Sequence, residues 1–273
     1  MVEITEKEFI QLAKYIHSNY GINLKQEKMT LVNGRLQNIL CKLNMQSFTE
    51  YFTYLTQNNN TDNSIIEMID KLTTNHTFFM READHFRFYQ TQVLPELKSS
   101  IKDRDLRIWC AACSTGEEAY TLAILNSEFM GKEKLWWDTK ILATDISLSS
   151  LEAAKAGVYT TERITPLPAK WKQDYFQLRE DELWEAKDII KKEIIFRRFN
   201  LMEEVYPFKK KFHAIFCRNV MIYFDQEDKN RLLQKIYSNL ANGGYLFLGH
   251  SEAINKDKSG FRYVMPSVYR KTE

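Results

Sequence analysis

The sequence predicts an α/β fold: a mostly parallel, doubly wound sheet with an antiparallel edge strand, preceded by a small all-helical domain. Apolar residues recur at helical spacing through residues 1–72. From Leu106 onward, short apolar runs alternate with helical stretches, the pattern of a parallel sheet with crossover helices. The last apolar run, from Phe261, follows its predecessor without a convincing helix between them, which suggests an antiparallel edge.

In the N-terminal part, Thr5 and Glu8 form a capping-box pair, and Phe9, Leu12, Ala13 and Ile16 make the apolar stripe of a first helix that Gly21 ends. A second helix is expected from about Lys25 to Leu43. Ser47 with Glu50 caps a third, which carries Tyr51, Phe52 and Leu55. The polar run Gln57–Asn63 reads as a loop, and Ile65, Ile66, Ile69 and Leu72 mark a fourth helix. Residues 73–95 read as a linker and 96–273 as the sheet domain.

In the sheet domain, 106–113 is the first strand and Glu117–Phe129 its helix. Lys140–Asp145 is the second strand, followed by the helical stretch 147–157. Strands are expected at 193–201 and 212–219, with a charged, glycine-free insertion near 171–195. Asp225 caps a helix holding Leu232, Leu233, Ile236 and Leu240, and Asn242-Gly243-Gly244 should stop it. Residues 245–250 form a fifth strand and 261–271 a single last one.

A chain of 273 residues that is 44% hydrophobic can bury a substantial core. Its charges nearly cancel, at a net +2, which argues against a nucleic-acid binder. No apolar run approaches the ~20 residues that span a bilayer. The N-terminus lacks a signal peptide's basic and apolar regions, so no membrane insertion is expected. Cys110 and Cys113 have C-x-x-C spacing, but zinc would need two further ligands, and no second Cys/His pair is suitably spaced. No metal is expected; reduced, buried thiols and a cytoplasmic protein are.

In an open parallel sheet, ligands sit beyond the carboxyl ends of the strands. The first strand runs into Cys113-Ser114-Thr115-Gly116-Glu117-Glu118. A dinucleotide site would want G-x-G-x-x-G here to receive pyrophosphate. One glycine and two acids repel pyrophosphate and suit a ligand with positive charge and hydroxyls. S-adenosylmethionine, with its sulfonium, ammonium and ribose, fits. An ordinary helix N-terminus with acids favouring the dipole would show the same pattern. Asp145 ends the second strand, where a Rossmann-like domain grips ribose hydroxyls, and it could equally cap the next helix. Asn200-Leu201 end the third strand and could hold adenine. Cys217-Arg218-Asn219 end the fourth, with Tyr223 beyond. Polar groups at four successive strand ends favour a ligand site over four separate structural explanations. Residues Thr73–Glu82 alternate polar and aromatic side chains, as a linker closing over a ligand would. His76 within them has no acid–base partner at suitable spacing and reads as structural.

Taken together, Thr74-Asn75-x-Thr77 with Arg81-Glu82, Ala111–Glu118, Ala143–Ile146, Phe216–Phe224 and Gly249–Glu252 resemble the CheR family of chemotaxis receptor glutamate methyltransferases. The motifs occur in the family's order and cover nearly the whole chain. Met80 stands where the family usually has an aromatic, and Ala119 where a proline often follows the two acids. The resemblance implies a Rossmann-like, S-adenosylmethionine-dependent methyltransferase domain with S-adenosylhomocysteine as product. It implies cofactor contacts from Asn75, Thr77, Arg81, Gly116, Glu117 or Glu118, Asp145, Asn200, Leu201, Arg218 and Asn219. Arg81, Arg218 and Tyr223 are expected to orient the substrate carboxylate.

A glutamate with pKa near ~4.3 is already ionised at neutral pH, so no general base is needed. Catalysis would consist of aligning carboxylate, methyl carbon and sulfur at ~3–3.5 Å. The partner implied is the cytoplasmic helical region of chemoreceptors, docked on a basic stripe of Lys25, Lys28, Arg35 and Lys42 and methylated by a monomeric enzyme. Some family members also tether to a receptor's C-terminal peptide through a glycine-containing β-subdomain. The glycine-free insertion here predicts independence from that tether. A small-molecule O-methyltransferase and a non-catalytic cofactor-binding regulator are the rival readings.

Overall fold

The computed structural model describes residues 2–57, 61–73, 75–254 and 260–272. Helix α1 (Glu6–Tyr20) begins at the capping box of Thr5 and Glu8 and ends at Gly21, whose φ of 68° is left-handed. The expected second helix starts late: a 3₁₀ turn, Gln26–Lys28, leads into α2 (Met29–Lys42), so Lys25 and Lys28 precede the helix. Helix α3 (Phe48–Gln57) has Ser47 Oγ accepting from the Glu50 amide. Helix α4 (Thr61–Leu72) already includes part of the expected Gln57–Asn63 loop, of which 58–60 lie outside the described residues. Phe9, Ile16, Leu36, Tyr51, Leu55 and Ile69 fill this domain's core.

The segment from Ala83 to Ser100 departs from the sequence expectation. It is one helical run: α5 (Ala83–Phe88), a π turn over Tyr89–Val93, and α6 (Leu94–Ser100). Phe86 and Tyr89 pack on Phe216, and Tyr89 also on Phe247, so the run belongs to the sheet domain's core.

Strand β1 (Ile108–Ala111) is followed by α7 (Glu117–Met130), β2 (Ile141–Asp145) and α8 (Leu148–Ala156). An insertion then supplies β3 (Val158–Tyr159), α9 (Thr161–Ile164), α10 (Ala169–Tyr175), β4 (Phe176–Leu178), β5 (Trp184–Ala186) and α11 (Asp188–Lys191). Its strands form a separate antiparallel sheet in the order β3-β5-β4. That sheet starts earlier than the segment expected near 171–195; its strands contain no glycine, and Glu182, at φ 61°, takes the left-handed position in the β4–β5 turn. The main sheet continues with β6 (Ile194–Arg198), β7 (Phe212–Cys217), α12 (Gln226–Asn239), β8 (Leu240–Leu248), β9 (Phe261–Met265) and β10 (Val268–Lys271).

The main sheet's order is β6-β2-β1-β7-β8-β10-β9, parallel from β6 to β8 and antiparallel for β10 and β9. Strand order reverses between β1 and β7, so the ligand crevice of a doubly wound sheet belongs there. The single strand expected over 261–271 is a hairpin, because Pro266 cannot donate to a ladder and Ser267 sits at φ 60°. Asn242-Gly243-Gly244 do not stop α12; it ends at Asn239 and the chain turns into β8 at Leu240. Gly243 (φ 72°) and Gly244 lie where the β7–β8 register shifts, and a Cβ on Gly244 would meet the Ala241 carbonyl oxygen at 2.8 Å. The doublet is a bulge in the strand. Among the described residues, no helix is long and apolar enough to cross a membrane.

Candidate active site

A cleft of about 960 Å³, mouth included, opens at the β1/β7 switch point, between the sheet domain, the linker and the end of α1. Its floor is the turn after β1. Ala112, Ser114 and Gly116 there have φ of 64°, 49° and 97°, which reverse the chain within five residues. The Cys113 amide donates to the Thr144 carbonyl at 2.8 Å, and the Ser114 amide to Asp145 Oδ2 at 2.7 Å.

Gly116 does not line the cleft. A Cβ there would lie 3.0 Å from the Ala154 Cβ and 3.1 Å from the Tyr159 hydroxyl, so glycine is needed for close packing. Glu117 and Glu118 diverge, since adjacent helix positions point ~100° apart. Glu117 is fully buried on the far side, ion-paired with Arg163 and accepting from Thr115 Oγ1 at 2.7 Å. Glu118 faces the cleft, pairs with Arg218 and accepts from Cys110 Sγ at 3.2 Å. Gly116, one of the expected contacts, is therefore corrected to a packing position, and of the two acids the sequence left as alternatives, Glu118 lines the cleft and Glu117 does not.

Asp145 lines the cleft at the end of β2, with Oδ1 accepting from the Ser147 amide and Oδ2 from that of Ser114. Burial raises its pKa against these amide bonds. From the linker, Asn75, Thr77 and Arg81 all line the cleft. Asn75 Nδ2 donates to Ser150 Oγ at 2.7 Å; Arg81 Nη1 donates to the His76 carbonyl at 2.7 Å, and its guanidinium lies 5.9 Å from the Phe78 ring centre. Thr74 falls outside the described residues. Beyond β6, Asn200 and Leu201 line the cleft, but the Asn200 amide is engaged: Nδ2 donates to the Asn19 carbonyl at 2.9 Å and Oδ1 accepts from the Met202 amide at 3.0 Å.

Beyond β7, Arg218 is 5% exposed and joins the walls. It pairs with Glu118, donates to the Arg81 carbonyl, bonds Glu82 Oε2 at 3.0 Å and lies 5.0 Å from the Phe86 ring centre. Burial works against its charge, but Glu118 and Glu82 outweigh it and raise its pKa. Asn219 is left-handed at φ 58° and donates from Nδ2 to Glu82 Oε1 at 3.1 Å. Tyr223 also lines the cleft, and burial raises the pKa of its hydroxyl.

Four residues at the site carried no expected role. Glu82, left-handed at φ 57°, holds Arg218 and Asn219 together; burial pushes its pKa up, but Arg218 and Asn219 outweigh that and leave it below the usual range. Glu252 is buried and takes three backbone amides: Asn219 at 2.9 Å, Gly249 at 2.6 Å and Met221 at 2.7 Å. Both acids stand in motifs quoted above, but no spacing rule gave them a function. Tyr20 and Ile22 line the cleft from the N-terminal domain, where the Asn23 amide donates to the Tyr223 carbonyl at 2.8 Å. Nothing local in the sequence signals a contact across about 200 residues.

The basic stripe is not one free face. Lys25 and Lys28 are exposed. Arg35 is half-buried and donates to the Leu72 carbonyl at 2.8 Å and the Thr73 carbonyl at 3.3 Å, closing the end of α4. Lys42 is exposed, 3.5 Å from Glu67. Cys110 and Cys113 are free and buried, with thiol pKa values raised by burial. Among the described residues, two groups have metal-ligand chemistry, Glu82–His85–His250 and His17–Asp225–Asp228, and both sit at ion pairs of the protein itself.

The family model for the SAM-binding domain of CheR methyltransferases matches residues 75–269, and that for their all-alpha domain matches residues 7–73. The chemotaxis protein methyltransferase of Borreliella burgdorferi is 43% identical over 99% of this chain and 96% of its own length. Chemotaxis protein methyltransferase 1 of Pseudomonas aeruginosa is 36% identical, over 94% of both chains. Chemotaxis protein methyltransferase 2 of the same organism is 37% identical, over 97% of this chain and 93% of its own.

Proposed function

The chain belongs to the CheR methyltransferase family, and on that premise we propose that it transfers methyl groups from S-adenosylmethionine to glutamate carboxylates of bacterial chemoreceptors. The lining suits that cofactor: carboxylates at Glu118 and Asp145 match ammonium and hydroxyl groups, and Leu201, Phe199 and Val220 offer apolar surface for a base. When bound, S-adenosylmethionine supplies an electrophilic methyl group. Asp145 accepts ribose hydroxyls, since each of its oxygens holds one backbone amide and keeps acceptor capacity. Glu118 takes the ammonium end, Asn75 and Thr77 close the linker side, and Asn200 and Leu201 flank the base.

The observation that carries the choice of substrate is the distribution of charge around the cleft. Cationic Arg81, on the linker, and Tyr223 both line it, and the only imidazole among the described lining residues, His76, has no carboxylate partner. An ionised carboxylate needs orientation rather than deprotonation. Both terminal nitrogens of Arg218 are committed to Glu118 and Glu82, so it braces the site, and Arg81 and Tyr223 orient the substrate. Receptor helices are steered by the exposed Lys25, Lys28 and Lys42. The reading takes the enzyme to be cytoplasmic, monomeric and independent of a receptor tether peptide. It divides the chain at residue 72, with the linker contributing to the site.

The test is peptide mass mapping of a purified receptor cytoplasmic fragment after incubation with enzyme and S-adenosylmethionine. Methyl esters on glutamate side chains are expected. An unmodified fragment alongside an enzyme that binds the cofactor would overturn the choice of substrate.

A further inference from the structure

The proposed function leaves Glu117 without a role, although it is fully buried in the turn that follows β1. A buried carboxylate is costly unless it is paired and hydrogen-bonded. Its partner is Arg163, on α9 of the insertion. Arg163 Nη2 also donates to Thr115 Oγ1 at 2.8 Å, and Thr115 Oγ1 donates on to Glu117 Oε2 at 2.7 Å. Tyr159, on β3, donates its hydroxyl to the Thr115 carbonyl at 2.8 Å. The same hydroxyl and Ala154 fill the space beside Gly116. Thr115, Gly116 and Glu117 are thus gripped from the insertion side, while the flanking Ser114 and Glu118 face the cleft. The insertion also holds the linker wall: the Phe79 ring meets Tyr159 at 4.9 Å and Phe176 at 5.7 Å, both edge-on.

We infer that Arg163 is a positioning residue for the cofactor turn, acting through Glu117 and Thr115, and that the small sheet is coupled to cofactor affinity. Arg163 does not line the cleft and touches no reacting group. Its guanidinium fixes the rotation of the first turn of α7, which aims Glu118 inward when Glu117 is pinned outward. A displacement of α9 and β3, such as one caused by a macromolecule gripping the insertion, would reach the cofactor site through this pair.

The inference rests on the reading that the cleft takes S-adenosylmethionine. Its test compares wild type, Arg163→Met, Arg163→Lys and Tyr159→Phe by calorimetric titration with S-adenosylhomocysteine and by steady-state kinetics. Arg179→Ala, an exposed ion-pair residue at the tip of the insertion, is the control. Arg163→Met should raise Kd and the KM for S-adenosylmethionine about tenfold with kcat within about twofold, the scale of losing a charge-assisted hydrogen bond. Arg163→Lys should restore part of the affinity, and the control should match wild type. Glu117→Gln added to Arg163→Met should recover affinity, because the unpaired buried charge is then gone. Tyr159→Phe keeps the ion pair and should raise Kd about threefold, which preserves the test if Arg163→Met fails to fold. Unchanged Kd in Arg163→Met and Tyr159→Phe, or a kcat loss without a KM change, would overturn the coupling. A wild-type protein that binds no S-adenosylhomocysteine would instead overturn the reading of the cleft.

Discussion

Replacing Glu252 by glutamine should release the loop that carries Arg218, Asn219 and Tyr223. Glu252 Oε2 accepts the amides of Asn219 and Gly249, and Oε1 accepts that of Met221. Glutamine keeps the volume but presents one NH2 where an oxygen stood, so either one or two of these amides lose their acceptor. Each buried donor left unsatisfied costs ~1–3 kcal/mol. Because burial raises the pKa of Glu252, the neutral side chain recovers part of that loss, and about 2 kcal/mol of net destabilisation is expected. The same loop sets the left-handed Asn219 and places Tyr223 at the cleft. Misplacement of ~1 Å at such a position costs ~10²-fold in rate. Urea unfolding would read the stability, titration with S-adenosylhomocysteine the affinity, and receptor methylation the turnover. The expectation is a lower unfolding midpoint, affinity within a few-fold and turnover reduced ~10–100-fold. A variant with wild-type midpoint and turnover would refute the reasoning that these amides depend on the carboxylate.

Asp145→Asn should weaken S-adenosylhomocysteine binding by at least ~10-fold in a calorimetric titration, since an amide nitrogen can neither hold the Ser114 or Ser147 amide nor accept a ribose hydroxyl. Lys28→Glu with Lys42→Glu should slow receptor methylation at low salt and leave cofactor affinity unchanged. Arg35→Glu should lower stability as well, because it removes a clamp on the Leu72 and Thr73 carbonyls. His85 is fully buried, and burial, followed by Arg218, lowers its pKa from 6.5 to about 4. At this site the unfolded chain therefore binds more protons between those values, so the contribution of neutral His85 to stability is full above pH 6.5 and is lost as pH falls towards about 4. That amounts to about 3 kcal/mol, visible as a shallower acid dependence of unfolding in His85→Gln than in wild type.

The N-terminal helices were legible because caps and a 3.6-residue period are local signals: the Thr5–Glu8 capping box forms as its sequence announces. The strand ends were legible because polar groups that close apolar runs must face the crevice of a parallel sheet. The run from Ala83 to Ser100 was not, because its π turn over Tyr89–Val93 shifts the phase of the apolar stripe, and its helicity is secured by packing on β7 and β8. The roles of Glu117 and Glu118 could not be divided without the rotation of α7, which contacts from α9 and β3 set. Seven-residue spacing put Arg35 on one face with its neighbours, but did not reveal that the end of α4 covers that face. Gly243-Gly244 carried a helix-stop signal that is spent on a strand bulge, because the chain enters β8 three residues earlier.

The central claim is methyl transfer to a receptor carboxylate in the cleft between linker and sheet. Its most direct test incubates the enzyme with methyl-labelled S-adenosylmethionine and receptor-rich membranes, then treats the labelled protein with base. The account predicts label on the receptor, released by base as methanol, and loss of transfer in Arg81→Ala even where that variant still binds S-adenosylhomocysteine. Label that resists base, label found only in small molecules, or cofactor binding without any transfer would contradict it.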